Sequence, residues 1–234
     1  IKVNASPVAS SQFMVFNWNK ASDPFKQSLF RSDKFRRAMS HLVNRQAVID
    51  IVYGGLGTPM YSSVYPVLTQ WINPKVPKYE YDPKQAAKLL AELGFTKKDR
   101  EGYLVDSKGR RIEFNLATNA GNTQREQIAK LIVDEAKKVG VKVNFQAIDF
   151  NTLVGQLLSS GPDRPFDAII IGLTGGGLDW PFGSNVVPCK GNLHMWNKSG
   201  QCLDPRETLM EKLYYQGRTE LDFKKRVEIG YRMQ

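Results

Sequence analysis

Two cysteines, two histidines and one glycine-rich stretch hold most of the chemistry that these 234 residues offer. Cys189 and Cys202 flank residues 190–201, which contain a turn-like Asn197-Lys198-Ser199-Gly200. Two cysteines closing a short loop suit a disulfide in an oxidising compartment, worth about 3 kcal/mol by loop-closure entropy. The alternative is a pair of buried thiols. A metal site is short of donors there, because His194 is the only other soft ligand in the loop. Catalysis needs a nucleophile with a base, a carboxylate pair or a metal. His41 lies within Phe35-Arg36-Arg37-Ala38-Met39-Ser40-His41-Leu42, on a helix that packs, and His194 sits in Leu193-His194-Met195-Trp196. No Gly-x-Ser-x-Gly, His-Glu-x-x-His or Gly-x-x-x-x-Gly-Lys occurs. The expectation is a protein that binds rather than transforms, without cofactor or metal.

The glycine stretch, residues 171–182 (IGLTGGGLDWPF), is the most informative. It follows the most apolar strand candidate, and ligands of open α/β sheets bind beyond the carboxyl ends of strands. Glycines let a ligand approach backbone groups closely, and Trp180 with Phe182 could form an apolar wall. The competing reading is an ordinary loop whose aromatics cover the core. Thr174, Gly175, Gly176, Asp179 and Trp180 are the candidate ligand contacts here, joined by Phe13, Asn17 and Trp18 on the first strand.

The elements that must position these residues follow from periodicity and caps. Residues 12–17 (QFMVFN) read as a buried strand, followed by a polar loop with Pro24. Ser32 caps a helix over 33–42, and a second helix, 45–53, stops at Gly54-Gly55. Residues 56–78 carry four prolines and read as an ordered loop. Asp82-Pro83 opens a helix that Gly94 ends. Residues 103–105 and 111–118 make a hairpin. Thr123-x-x-Glu126 is a capping box for a helix to Gly140, then a strand from Val141, a short helix over 151–159 and a buried strand over 166–172. Asp204-Pro205 caps another helix and 219–234 forms the last. This order predicts an α/β fold with a mixed sheet and helices on both faces.

Composition agrees: 41% of residues are hydrophobic and 24% charged, as in ordinary globular proteins. The formal net charge is +10, but the positive residues are scattered and form no nucleic-acid motif. No run is long and apolar enough to span a membrane, and the N-terminus has no signal-peptide pattern. Both ends fall abruptly within elements, which predicts a truncated lobe.

Phe16-Asn17, then DKFRRAMSHLVNRQAVI over 33–49, then Tyr53-Gly54-Gly55, resembles the dipeptide/oligopeptide-binding family of ABC-transporter solute-binding proteins. Residues 81–95 (YDPKQAAKLLAELGF) resemble that family's "YDPxxAxxLLxxAG" segment. The resemblance implies a two-lobed, type II-like periplasmic binding protein. Residues 1–234 would be its C-terminal ligand-binding lobe, without the N-terminal lobe and the final segment. It implies capture of a peptide between lobes and delivery to the permease subunits of an ABC importer, in a periplasmic or extracytoplasmic setting. The receptor would be monomeric and meet the membrane only through the permease or an N-terminal anchor outside this chain. Oligosaccharide or another small solute is the alternative ligand, for which Trp18, Trp71 and Trp180 would supply stacking surfaces. In peptide-binding relatives an Asp in the glycine loop pairs with the peptide's amine, and that position falls on Gly176.

Overall fold

The computed structural model describes residues 9–175, 177 and 179–234. Along the chain come β1 (Ser10–Phe16), α1 (Pro24–Arg31), α2 (Asp33–Leu42), α3 (Arg45–Tyr53) and α4 (Pro83–Glu92). Next are β2 (Lys97–Lys98), β3 (Leu104–Val105), β4 (Glu113–Asn119), α5 (Thr123–Val139) and β5 (Lys142–Ile148). Then follow α6 (Phe150–Leu158), β6 (Ala168–Thr174), α7 (Pro205–Thr219) and α8 (Phe223–Arg232). The proline-rich 56–78 stretch holds one 3₁₀ turn, Thr69–Trp71.

Short polar side chains start the helices. The Asp82 carboxylate accepts the Gln85 N–H at 2.9 Å, with Pro83 at the first helical position. Proline there lacks the N–H that a helix start would leave unpaired. The same Asp-Pro signal operates at Asp23-Pro24, where Asp23 accepts the Lys26 N–H at 2.9 Å. A helix, α1, therefore stands where the sequence suggested a loop. Asn122 rather than Thr123 caps α5, accepting the Arg125 N–H at 3.0 Å. The last helix begins at Phe223, not 219, because Asp222 caps it through the Lys225 N–H. The expected hairpin is reduced to a bridge between Val105 and Arg111, while β3 pairs antiparallel with β2. Helix α5 ends at Gly140, φ +92°, where a Cβ would stand 3.0 Å from the Gly102 carbonyl oxygen. Backbone angle and space both demand glycine there.

The main sheet has the order β1-β6-β4-β5. β4 runs parallel to β5, from Glu113↔Lys142 to Asn119↔Ile148, and parallel to β6. Asn17 donates its N–H to Asp167 O and Gly175 donates to Ala9 O, a pairing that makes β1 antiparallel to β6. The sheet is mixed, as expected. Ala168 to Ile171 are buried one after another. Successive strand residues face opposite sides, so both faces of β6 are covered.

The chain divides into two compact units. One comprises Met14–Pro59 and Lys78–Ile171; the other comprises the described part of Ile1–Phe13 with Met60–Pro77 and Gly172–Gln234. The boundary falls inside β1 and inside β6. In the first unit Phe16, Phe30, Phe35 and Phe114 cluster with ring centroids 5.2–6.2 Å apart. Each such pair adds about 0.5–1.5 kcal/mol beyond its area burial. In the second unit Trp71 is fully buried among Leu213, Tyr214, Ile229 and Met233.

Candidate functional site

β6 delivers the glycine loop. Its apolar run ends at Ile171; Thr174 and Gly175 are exposed, and Gly175 takes φ +115° while its N–H bonds Ala9 O at 2.9 Å. Asp179 is exposed. Gly176 lies outside the described residues. Trp180 is half-buried, its ring 5.7 Å from Trp71, 4.9 Å from Phe182 and 6.3 Å from Tyr214. A Cβ on Gly217 would come within 2.0 Å of the indole's far edge. The ring is therefore clamped by α7 and its neighbours. Beside it an open cavity of about 470 Å³ is lined by Gly177, Trp180, Ser184, Asn185, Tyr214 and Arg218 among others.

The first-strand candidates are placed differently. Phe13 is half-buried on β1. Asn17 is fully buried, and its amide nitrogen donates to Phe166 O at 2.7 Å and Arg164 O at 3.2 Å while its oxygen accepts the Asn19 N–H at 2.9 Å. All three bonds stay within one unit and tie the end of β1 to the segment entering β6. Trp18 is 7% exposed, with the Arg36 guanidinium 4.8 Å from its ring centre. Trp18 and Trp71 are thus packed into the cores of their units.

Cys189 and Cys202 form the expected disulfide, Cα atoms 5.3 Å apart. The Glu211 carboxylate adjoins both sulfurs and accepts the Cys189 N–H at 2.9 Å. Glu207, at the start of α7, organises the loop. Its buried carboxylate accepts from Trp196 Nε1 at 2.7 Å, from Asn197 Nδ2 at 3.2 Å and from the Asp204 N–H at 3.1 Å. The Leu203 N–H adds a fourth bond at 2.6 Å. His194 lies with Nε2 3.0 Å from the same carboxylate and Nδ1 2.8 Å from Val186 O. Burial pushes the Glu207 pKa up, but the His194 bond, the Leu203 amide, Trp196 and Asn197 together hold it below the ordinary glutamate value. His41 lies 2.6 Å from Glu80 O through Nδ1. Each histidine is thus engaged structurally.

A third group stands at the carboxyl end of β4. Asn119, its last residue, accepts a hydrogen bond from Arg125 Nη1 at 2.7 Å. Helix α3, which ends in Tyr53, packs on α5. Burial raises the Tyr53 pKa, opposed by the Arg125 charge; burial lowers that of Arg125, opposed by Tyr53. Asn119 pairs in register with Ile148, so the exposed Phe150, which opens α6 two residues later, lies on the same edge. At the opposite end of β4 a cavity of about 410 Å³ is lined by Lys26, Arg110, Arg111 and Glu113. These charges are paired, with Asp167 at 2.8 Å, Asp106 at 2.7 Å, Glu101 at 2.6 Å and Lys142 at 3.2 Å respectively.

Residues 1–191 match the family described as "Bacterial extracellular solute-binding proteins, family 5 Middle". The chain belongs to this family. It is 52% identical over 240 residues to a Deinococcus radiodurans protein described as "Probable ABC transporter-binding protein", covering 99% of this chain and 40% of the relative. It is 34% identical over 163 residues to the oligopeptide-binding protein AppA of Bacillus subtilis, 68% of this chain and 28% of AppA. The solved AppA structure, with a nonapeptide, superposes at TM-score 0.76 and 24% identity over 97% of this chain and 42% of that one. The periplasmic binding protein MelB of Agrobacterium fabrum, with stachyose, superposes at TM-score 0.81 and 20% identity, over 97% of this chain and 36% of MelB. The family 5 chain thus spans less than half the length of these relatives. Sequence reasoning did not single out the Tyr53–Asn119–Arg125 group. The available signal was a cation in the first turn of a helix that directly follows a strand.

Proposed function

We propose that this family 5 chain serves as one ligand-binding lobe, residues 1–234, of the receptor of an ABC importer. The receptor captures a peptide between two lobes and passes it to membrane permease subunits without altering it. The match to the family over residues 1–191 carries this reading. The remainder of the receptor corresponds to the length of the relatives that the chain does not span. Closure about a hinge is the mode such a receptor uses. Thr174 at the end of β6, Gly175, Gly176 and Asp179 in the stretch after it, and Phe13 and Trp180 are the proposed contacts. Asn17 and Trp18 contribute by fixing the strand end. The disulfide suits an extracytoplasmic, oxidising setting. The receptor is read as a monomer that needs no cofactor and binds no nucleic acid.

A second reading, an oligosaccharide or another small solute, is favoured by the glycine at position 176. A hydrogen-bonding ligand needs no carboxylate there. Mass spectrometry of material released by denaturing the purified full-length protein decides between them. Peptides are the expected result. A sugar would transfer the assignment to the second reading, and steep salt-dependent binding to DNA in place of any small solute would sink both.

A further inference from the structure

We propose that the open cavity beside Trp180 binds a carboxylate of the captured solute, with Arg218 as its charged anchor. The inference rests on the reading of the chain as a solute receptor and adds the chemical class of one group on its ligand. The whole cavity lies within Gly172–Gln234, inside one compact unit. Its volume of about 470 Å³ suits a small ligand or one arm of a larger one. Tyr214 and Arg218 stand four residues apart on α7 and so share one helix face. Between them Gly217 lets the Trp180 ring lie against the helix, since a Cβ there would come within 2.0 Å of the indole. Phe182, its ring 4.9 Å from that of Trp180, extends the apolar wall.

The polar groups at this wall are donors without acceptors. Arg218 is exposed and has no ion pair, hydrogen bond or ring contact among the described residues. The Trp180 Nε1–H is buried and has no hydrogen-bond partner among them. Tyr214 is 2% exposed, and its hydroxyl has none either. Buried indole and phenol groups ordinarily find a partner. The exposed Ser184 and Asn185 add a hydroxyl and an amide to the same cavity. No aspartate or glutamate is among the described residues that line it. The ligand must therefore bring the acceptor, and an ionised one makes the strongest and best-shaped bond to a guanidinium. The end of α7 opposes an anion with a partial charge of about half a unit, which the full charge of Arg218 outweighs. The cavity at the Glu113 end of β4 is also lined by cations, but each of those has its acid. Lys26 pairs with Asp167 at 2.8 Å, Arg110 with Asp106 at 2.7 Å and Arg111 with Glu101 at 2.6 Å.

The test is calorimetric titration of the full-length protein carrying this chain with three pairs of probes. These are trialanine and trialanine amide, Ala-Glu-Ala amide and Ala-Gln-Ala amide, and trigalacturonate and its methyl ester. Within each pair the carboxylate is the main change, and the pair that responds tells a chain end from a side chain from a sugar acid. We expect the acid of at least one pair to bind about tenfold or more tightly than its neutral partner. Arg218→Gln should bring that acid down to the affinity of its partner, and Arg218→Lys, which keeps the charge and loses the fork, should reduce the preference. Far-UV circular dichroism and the ligand-free Tm confirm that each variant folds. If Arg218→Gln does not fold, Arg218→Lys decides, and a preference equal to wild type in it overturns the assignment. A preference that survives in folded Arg218→Gln, or neutral probes bound as tightly as acids, would overturn the inference while leaving the receptor reading intact. Failure of all six probes would overturn both.

Discussion

Glu207 shows how much one buried side chain can carry. Its carboxylate accepts from Trp196, Asn197, Leu203 and Asp204 and faces His194. Those bonds hold its folded pKa below the ordinary value of 4.5 against the opposing effect of burial. A group depressed in this way stabilises the fold fully above its unfolded pKa, and the contribution is lost as pH falls through the folded value. Glu207→Gln should therefore lower stability at pH 7 by about 3 kcal/mol and flatten the loss of stability below pH 4.5. Urea unfolding at neutral and acid pH reads both, and an unchanged acid slope would show that another carboxylate is responsible. Asn17 makes the parallel case in the other unit. Its three bonds satisfy two backbone carbonyls and one N–H. Asn17→Ala should cost about 3 kcal/mol or more, because the groups it leaves are buried. Its midpoint in urea would then fall without a change in slope.

At the scale of elements, two glycines inside helices make opposite predictions. Gly155 in α6 is exposed, and a Cβ there would meet nothing within 4 Å. Gly155→Ala should stabilise by up to about 1 kcal/mol through helix propensity. Gly217 in α7 faces Trp180, and the same change forces the indole out of its packed position. Gly217→Ala should destabilise by about 1–3 kcal/mol despite alanine's better propensity. Thermal unfolding of the two variants gives the signs directly, and two shifts of the same sign would contradict the packing argument. Elements of this kind were largely legible. The Asp-Pro caps at Asp82 and Asp204, the glycine stop of α5 and the apolar run of β6 each have a local cause. The loop reading at Pro24 failed where the same Asp-Pro signal was present, because α1 is only eight residues long and buries only Leu29 and Phe30. The Arg125 group was not legible in full, since Tyr53 joins the local Asn119–Arg125 pair only after α3 packs on α5.

The division of the whole molecule into two units lay beyond any local pattern. β1 and β6 are continuous strands, and their apolar runs mark burial without recording that the unit boundary falls within them. Met60–Pro77 shares a unit with Gly172–Gln234, a partnership made by contacts such as Tyr65 Oη to Leu173 O at 3.1 Å and Gln234 Nε2 to Trp71 O at 2.6 Å. The disulfide lies wholly inside that unit. It closes a loop whose far end feeds the Leu203 and Asp204 amides into the α7 cap. Reduction frees that loop in the unfolded state and should cost about 3 kcal/mol. The loss should be confined to one unit, because compact units open separately when few interactions cross between them. Hydrogen exchange with and without a dithiol reductant reads this. Amides of α7 and α8 should lose protection while those of β4, β5 and α5 keep theirs. Equal loss throughout would mean that the two units unfold as one.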